Sequence, residues 1–321
     1  MNAANPGFDA PALEAHLAGQ PVPDQPLPAG MPTRGEERVL GRLPAPVSTE
    51  PTRLAVLSDP HLSTRHEGGW KCFHRTEERL RTAVADLAET HPDGVVFAGD
   101  LTKDGHPDDH AVAAELFGSL SFPVVGVPGN HDTKEGVELP WLDRGPTAID
   151  DLTVAGFASA GYSPEEGGRL ASPPTLTHLD GVDIAVSHHN LDGLGVPPWR
   201  GSYPMWTATE VERELADAGV PLHVSGHLHI PAVVPATVPG GVSQIVAPAL
   251  SSFPCAYLLL DIDATGTTIT LRGVADEAAL AEAWDAAHAY NDRSRLAVQV
   301  AARQLAAAPV VPASEAATAD D

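Results

Sequence analysis

Val95-Val96-Phe97-Ala98-Gly99-Asp100 is the stretch on which the reading of this chain turns. A short apolar run stopped by a glycine suits a strand buried on both faces of a sheet. The carboxylate just past its end points into the crevice where α/β proteins keep their ligands. Taken alone, Asp100 fits a turn or a helix cap equally well, so its meaning depends on how the other strands end.

Working outward from it, the chain alternates strand and helix. An apolar run over 54–58 ends in Asp59-Pro60-His61, and a helical spacing of Leu80, Val84 and Leu87 predicts a helix over 75–90. The strand over 95–98 follows, then a helix over 107–120 with Pro107 in its first turn, then a strand over 122–127 that runs into Pro128-Gly129-Asn130-His131-Asp132. Strand–helix–strand–helix–strand favours a parallel sheet with right-handed crossovers. Residues 133–180 are less regular, with short strands expected over 152–157 and 175–179. A strand over 184–187 delivers His188-His189-Asn190. Thr207 with Glu210 three residues later reads as a capping box, and a strand over 222–225 ends in Gly226-His227-Leu228-His229. Strands over 242–247, 256–262 and 267–272 complete the β content, and 276–308 is alanine-rich helix broken near Asn291.

Four segments are expected: a Pro-rich arm over 1–50, a central domain over 51–274, C-terminal helices over 275–308 and a disordered tail over 309–321. Hydrophobic residues make up 43% of the 321, enough for a sizeable core. Acidic residues number 43 against 19 basic ones, a net charge of −24 that argues against a partner held through nucleic-acid phosphates. Lysine supplies only three of the cations (Lys71, Lys103 and Lys134), a balance expected of a halophile-like protein; full activity in dilute buffer would count against that expectation. Two cysteines cannot build a disulfide framework. Residues 1–20 lack the pattern of a signal peptide, and no apolar run approaches the roughly 18 residues of a membrane span. A cytoplasmic protein without a membrane partner is expected.

Five strand ends therefore present Asp59 and His61, Asp100, Asn130 and His131, His188, and His227 with His229. Each block singly also fits a plain turn with solvated or half-buried side chains. Together, in this order, Asp59-x-His61, Gly99-Asp100, Gly129-Asn130-His131-Asp132, His188 and Gly226-His227-x-His229 resemble the five blocks of the calcineurin-like metallophosphoesterase superfamily, over roughly residues 53–263. The resemblance implies an α/β fold, a four-layer α/β/β/α sandwich with two mixed β-sheets and a dinuclear metal site at the strand ends. It places one metal on Asp59, His61, Asp100 and His229, and the other on Asp100, Asn130, His188 and His227. It also implies a metal-bridging hydroxide attacking phosphorus in line, with His131 as general acid at the leaving group and Asp132 orienting it. The donor set of carboxylate, amide and imidazole without thiolate suits Mn²⁺, Fe or Zn²⁺. A carboxylate shared by both ions suits the roughly 3.5–4 Å separation of two-metal hydrolytic sites.

Gly99 to Gly105, followed by His106-Pro107-Asp108-Asp109-His110, resembles the branch of cyclic-nucleotide and glycerophosphodiester phosphodiesterases and lacks the Asp-Arg-Gly of protein phosphatases. The expected substrate is a small phosphodiester. A phosphomonoesterase of the same family and a catalytically silent binding scaffold are the alternatives. His66 and His74 could line the substrate pocket but read first as ordinary loop histidines, and Trp199-Arg200 after the fourth block could clamp a phosphate or stack on a base or simply cover the core. The C-terminal helices are expected to pack on the sheet's own flank, with a homo-oligomer interface as the alternative.

Overall fold

A computed structural model describes residues 18–65, 68–69, 71–133, 145–160, 176, 179–191 and 207–311. Its first sheet contains β1 (Glu37–Leu43), β12 (Gly266–Gly273), β11 (Ala256–Asp263), β2 (Thr52–Leu57), β3 (Gly94–Phe97) and β4 (Val124–Gly126), in that spatial order. β2, β3 and β4 run parallel, and β11, β12 and β1 add antiparallel partners. The second sheet is ordered β5 (Thr147–Ile149), β6 (Leu152–Gly156), β7 (Ile184–Val186), β8 (Leu222–Ser225), β10 (Ser243–Val246) and β9 (Ala232–Val234). There β6, β7, β8 and β10 are parallel and the outer strands β5 and β9 antiparallel. Both sheets are mixed, as expected.

The strand period of two sorts side chains between layers. In β7, Ile184 and Val186 belong to the main core shared with the first sheet, whereas Ala185 faces a second cluster with Val211 and Leu215 of helix α3 (Ala208–Asp217). The main core also takes in Leu80, Ala83 and Leu87 of α1 (Thr76–Thr90) and Ala113, Leu116 and Phe117 of α2 (Pro107–Gly118). Phe117 meets Phe97 of β3 edge to face at 5.4 Å. Close sheet-to-sheet packing shows at Gly94 in β3, where an added Cβ would lie 2.5 Å from Ile149 Cδ1 of β5. The result is the α/β/β/α layering.

Three local readings change. The sequence reading gave no strand within the Pro-rich arm, but its last part forms β1, with buried Arg38 donating to the carbonyls of Glu37 and Gly30. The tail expected from residue 309 begins instead with a bridge between Arg38 and Val310, and residues 312–321 lie outside the described residues. Thr207 is the N-cap of α3, but its side chain makes no capping bond. Its ψ of 29° departs from the extended N-cap conformation that aims a hydroxyl at the first free amides.

The last two helices, α4 (Glu277–Tyr290) and α5 (Asp292–Ala307), break at Asn291, whose side chain caps α5 by accepting from Ser294 N at 2.8 Å. They pack on the body of the molecule through Trp284, which meets Phe253 at 5.1 Å. They also carry the arm, because Trp284 Nε1 donates to Gln25 O, Arg295 to Val22 O and Gln299 to Pro23 O. Among the described residues no helix is long and apolar enough to cross a membrane.

Candidate metal centre

Beyond the C-terminal end of the sheet the connecting loops continue to pair. Asp59 N donates to Gly99 O at 3.0 Å, His61 N to Asp100 O at 3.0 Å and Gly226 N to His188 O at 3.0 Å. This zipping forces unusual backbone. Asp59 (φ 51°), His61 (φ 45°), Asp100 (φ 54°), His227 (φ 65°) and His229 (φ 64°) all sit in the left-handed region. Non-glycine residues held there cost of order 1–3 kcal/mol each and cluster at functional sites. Five of the candidate ligands share this signature.

Glycines beside the ligands make the close approach possible. A Cβ on Gly99 would come within 2.6 Å of His188 Nδ1, and one on Gly226 within 2.5 Å of Asp59 Oδ2. One on Gly129 would overlap both the backbone nitrogen and Oδ1 of Asp100.

The seven expected ligands converge. His61 Nε2 lies 3.5 Å from Asp59 Oδ1, 3.4 Å from Asp100 Oδ2 and 3.1 Å from His229 Nε2. His229 Nε2 is 3.1 Å from Asp59 Oδ1. On the other side of Asp100, His188 Nε2 is 3.4 Å from Oδ2, 3.1 Å from Asn130 Oδ1 and 3.3 Å from His227 Nδ1. Asp100 Oδ2 thus stands between the two groups. Asp59, His61 and His188 are wholly buried and Asp100 nearly so.

Neighbouring groups set the ring orientations, as metal-binding imidazoles require. His188 Nδ1 donates to Ala98 O at 2.8 Å, directing Nε2 inward, and His229 Nδ1 pairs with Ser252 Oγ at 2.9 Å. Asp59 Oδ2 accepts from Ser58 Oγ at 2.5 Å and from His227 N at 3.0 Å. His189, the neighbour of His188, pairs its Nδ1 with Ser159 Oγ at 3.1 Å.

The electrostatics suit a cation. Burial pushes the imidazoles of His61, His227 and His229 below their usual range, toward the neutral form that binds a metal ion. Burial opposes charge on Asp59 too, yet His229 and His61 hold its carboxyl well below the usual range. At His188, burial is outweighed by the Asp100 and Asp59 carboxylates, which raise it to about 9, so a metal ion bound there takes the place of a proton. Among the described residues, buried Asp59 Oδ1 has no hydrogen-bond partner, and it faces the rings of His61 and His229. An orphaned carboxylate oxygen amid imidazole nitrogens is the donor set a divalent ion satisfies, so the residues fit the metals that the resemblance implies.

His131 lies against this cluster, its ring 4.5 Å from that of His61. Its Nδ1 donates to the carbonyl of Lys103. Asp132 was expected to orient His131, but its hydrogen bonds go elsewhere. Its carboxylate accepts from Leu101 N, Thr102 N, Thr102 Oγ1 and Gly129 N at 2.8–3.0 Å, tying the loops after β3 and β4 together. Burial and the nearby Asp100 raise this carboxyl to about 6 even so. His131 is oriented by a backbone carbonyl instead.

A cavity of about 310 Å³ opens from the cluster and is lined by Asp100, Asn130, His131, His227 and His229, together with residues the sequence did not flag. Among those, Lys71 is buried with Nζ 2.9 Å from His61 Nε2, and Ser252 supports His229. The far wall belongs to α4 and α5. Only tertiary placement identifies these residues, although a buried lysine is itself unusual. His74 is absent from this lining; its Nε2 pairs with Glu282 Oε1 at 2.7 Å. His66 and Trp199-Arg200 lie outside the described residues.

Comparison with known proteins fits this geometry. A family model described as calcineurin-like phosphoesterase matches residues 52–231. A probable cyclic nucleotide phosphodiesterase of Pseudoalteromonas sp. is 36% identical over 150 residues, 43% of this chain and 56% of that protein. The glycerophosphodiester phosphodiesterase GpdQ of Enterobacter lignolyticus is 44% identical over 83 residues, 25% of this chain and 30% of that protein. The matched segments thus span less than two thirds of either relative. Among solved structures, a dimetal phosphatase from Danio rerio aligns over 70% of this chain and 100% of its own, with a TM-score of 0.47 and 14% identity.

Proposed function

This chain belongs to the calcineurin-like phosphoesterase family, and from that premise we propose that it is a metal-dependent phosphodiesterase acting on a small diester. One observation carries the reading: seven oxygen and nitrogen donors converge about Asp100 with His131 beside them. The names of its relatives, cyclic nucleotide and glycerophosphodiester phosphodiesterases, support a diester over a monoester.

Asp59, His61, Asp100 and His229 would hold one metal ion, and Asp100, Asn130, His188 and His227 the other. Mn²⁺, Fe and Zn²⁺ all suit these donors. When bound, the two ions supply a nucleophile at neutral pH and neutralise the phosphoryl oxygens. The chain does the rest. Lys71 adds a buried positive charge to the wall against which the phosphoryl group rests. His131 carries its Nδ1 proton toward Lys103 O, so as an imidazolium it would give its Nε2 proton to the departing alkoxide and be left as the neutral Nδ1–H tautomer. Asp132 keeps the loop bearing Asn130 and His131 fixed to the loop bearing Asp100, which preserves the geometry during turnover.

The test is kinetic. Metal-loaded protein is expected to prefer bis(4-nitrophenyl) phosphate over 4-nitrophenyl phosphate, and the reverse preference would leave a monoesterase. With an alkyl diester, whose alkoxide leaves only when protonated, His131→Ala is expected to lower kcat by about 10²–10⁴-fold while binding as much metal as the unaltered chain. A loss of less than about fivefold, or a parallel loss of metal, would remove His131 from proton transfer.

A further inference from the structure

The cavity beside the candidate metal centre extends beyond the segment that matches the family, because its far wall is built by the junction of α4 and α5. Tyr290 closes α4, Asn291 caps α5, and Arg293 lies in the first turn of α5; all three line the cavity. Apolar Leu228, Ile230, Phe253 and Val298 also line the cavity, with Ser252 and Ser294 among them. A volume of about 310 Å³ corresponds to roughly ten waters, room for a phosphoryl group and one ring system.

The charge of this wall also departs from the rest of the chain. Acidic residues outnumber basic ones 43 to 19 overall, yet among the described lining residues Asp100 is the only carboxylate, whereas Lys71 and Arg293 bring two cations. A hydroxyl-rich substituent such as glycerol would lose water against Ile230, Phe253 and Val298 without gaining partners there. A flat ring would lose little. An arginine fork and a tyrosine ring are the side chains that stack on such a ring.

We infer that Tyr290 and Arg293 form a distal subsite that holds a flat, ring-bearing substituent of the phosphodiester, making the α4–α5 junction the specificity wall of the site. This inference rests on the phosphodiesterase reading for its substrate class, but the subsite can be read without catalysis.

The experiment is calorimetric titration of the full metal-loaded chain with phenylphosphonate and with methylphosphonate. The two share a phosphonate head, cannot be hydrolysed at their carbon–phosphorus bond, and differ by the ring. Phenylphosphonate is expected to bind about tenfold tighter or more. In Tyr290→Ala with Arg293→Ala, both exposed positions, the preference is expected to shrink to within about twofold while methylphosphonate affinity stays the same. Tyr290→Phe, which keeps the ring, is expected to keep the preference. Equal affinity of the unaltered chain for both phosphonates, or a preference that survives the double substitution, overturns the subsite. Ring preference in a protein that hydrolyses no phosphate ester upholds the subsite and overturns the catalytic reading alone.

Discussion

Asp100→Asn is expected to abolish diester hydrolysis, by roughly three powers of ten or more, and to deplete both metal ions together. Asparagine keeps the shape of aspartate, and its carbonyl oxygen can still accept from His131 N as Oδ1 does at 2.8 Å. The backbone bond from His61 N to Asp100 O is untouched. What disappears is the charge of Oδ2, the atom 3.4 Å from both His61 Nε2 and His188 Nε2. Removing one of the outer ligands, such as His229, should weaken one ion more than the other. Inductively coupled plasma measurement of metal per chain separates these cases, and an Asp100→Asn protein that retained both ions and its rate would end the bridging role.

Gly129→Ala is the second large effect. Gly129 is not one of the glycines with a positive φ, and the conflict that alanine meets there is one of space. A methyl there overlaps the backbone nitrogen and Oδ1 of Asp100, so the loop carrying Asn130 and His131 must move off the loop carrying Asp100. The bond from Gly129 N to Asp132 Oδ2, which ties those loops, stretches with it. Overpacking of this kind costs typically about 1–3 kcal/mol in stability. A displacement of about 1 Å at a reacting centre costs about 10²-fold in rate, so kcat/KM is expected to fall at least that far. Gly118→Ala, at the end of α2 with nothing within 4 Å of the added carbon, serves as the control. It should leave the rate unchanged and gain about 0.5–1 kcal/mol, read from the urea midpoint. Equal rates for the two variants would show that the Gly129 contact has no bearing on the site.

Both effects concern the pairing of neighbouring loops, and that is also where the sequence was most legible. β3 is a fully buried run of glycine and apolar residues, and β8 is equally buried although it includes His223; both ends carry the chemistry, so Asp100 and His227 could be located by reading forward from each strand. β1 was illegible for the opposite reason. It is an edge strand in Glu37–Leu43 with charges at three of its positions, and Arg38 is buried only because backbone carbonyls satisfy its guanidinium. The supports of the candidate ligands were equally hidden. Ser252 reaches His229 from a loop after β10, and Lys71 reaches His61 from ten residues along the chain. No spacing rule links those pairs; only the fold brings them together. Asp132 shows the limit from the other side, since its place beside His131 in sequence suggested a partnership that its hydrogen bonds to Leu101, Thr102 and Gly129 replace.

The central claim is that these strand ends form a two-metal hydrolytic site. Metal content and bis(4-nitrophenyl) phosphate turnover, measured on the full chain before chelation, after it and after adding Mn²⁺ or Zn²⁺, test it most directly. About two ions per chain, loss of turnover on chelation and recovery as the ions return are the expected results. Turnover that survives complete removal of metal, or two bound ions without turnover, would contradict it.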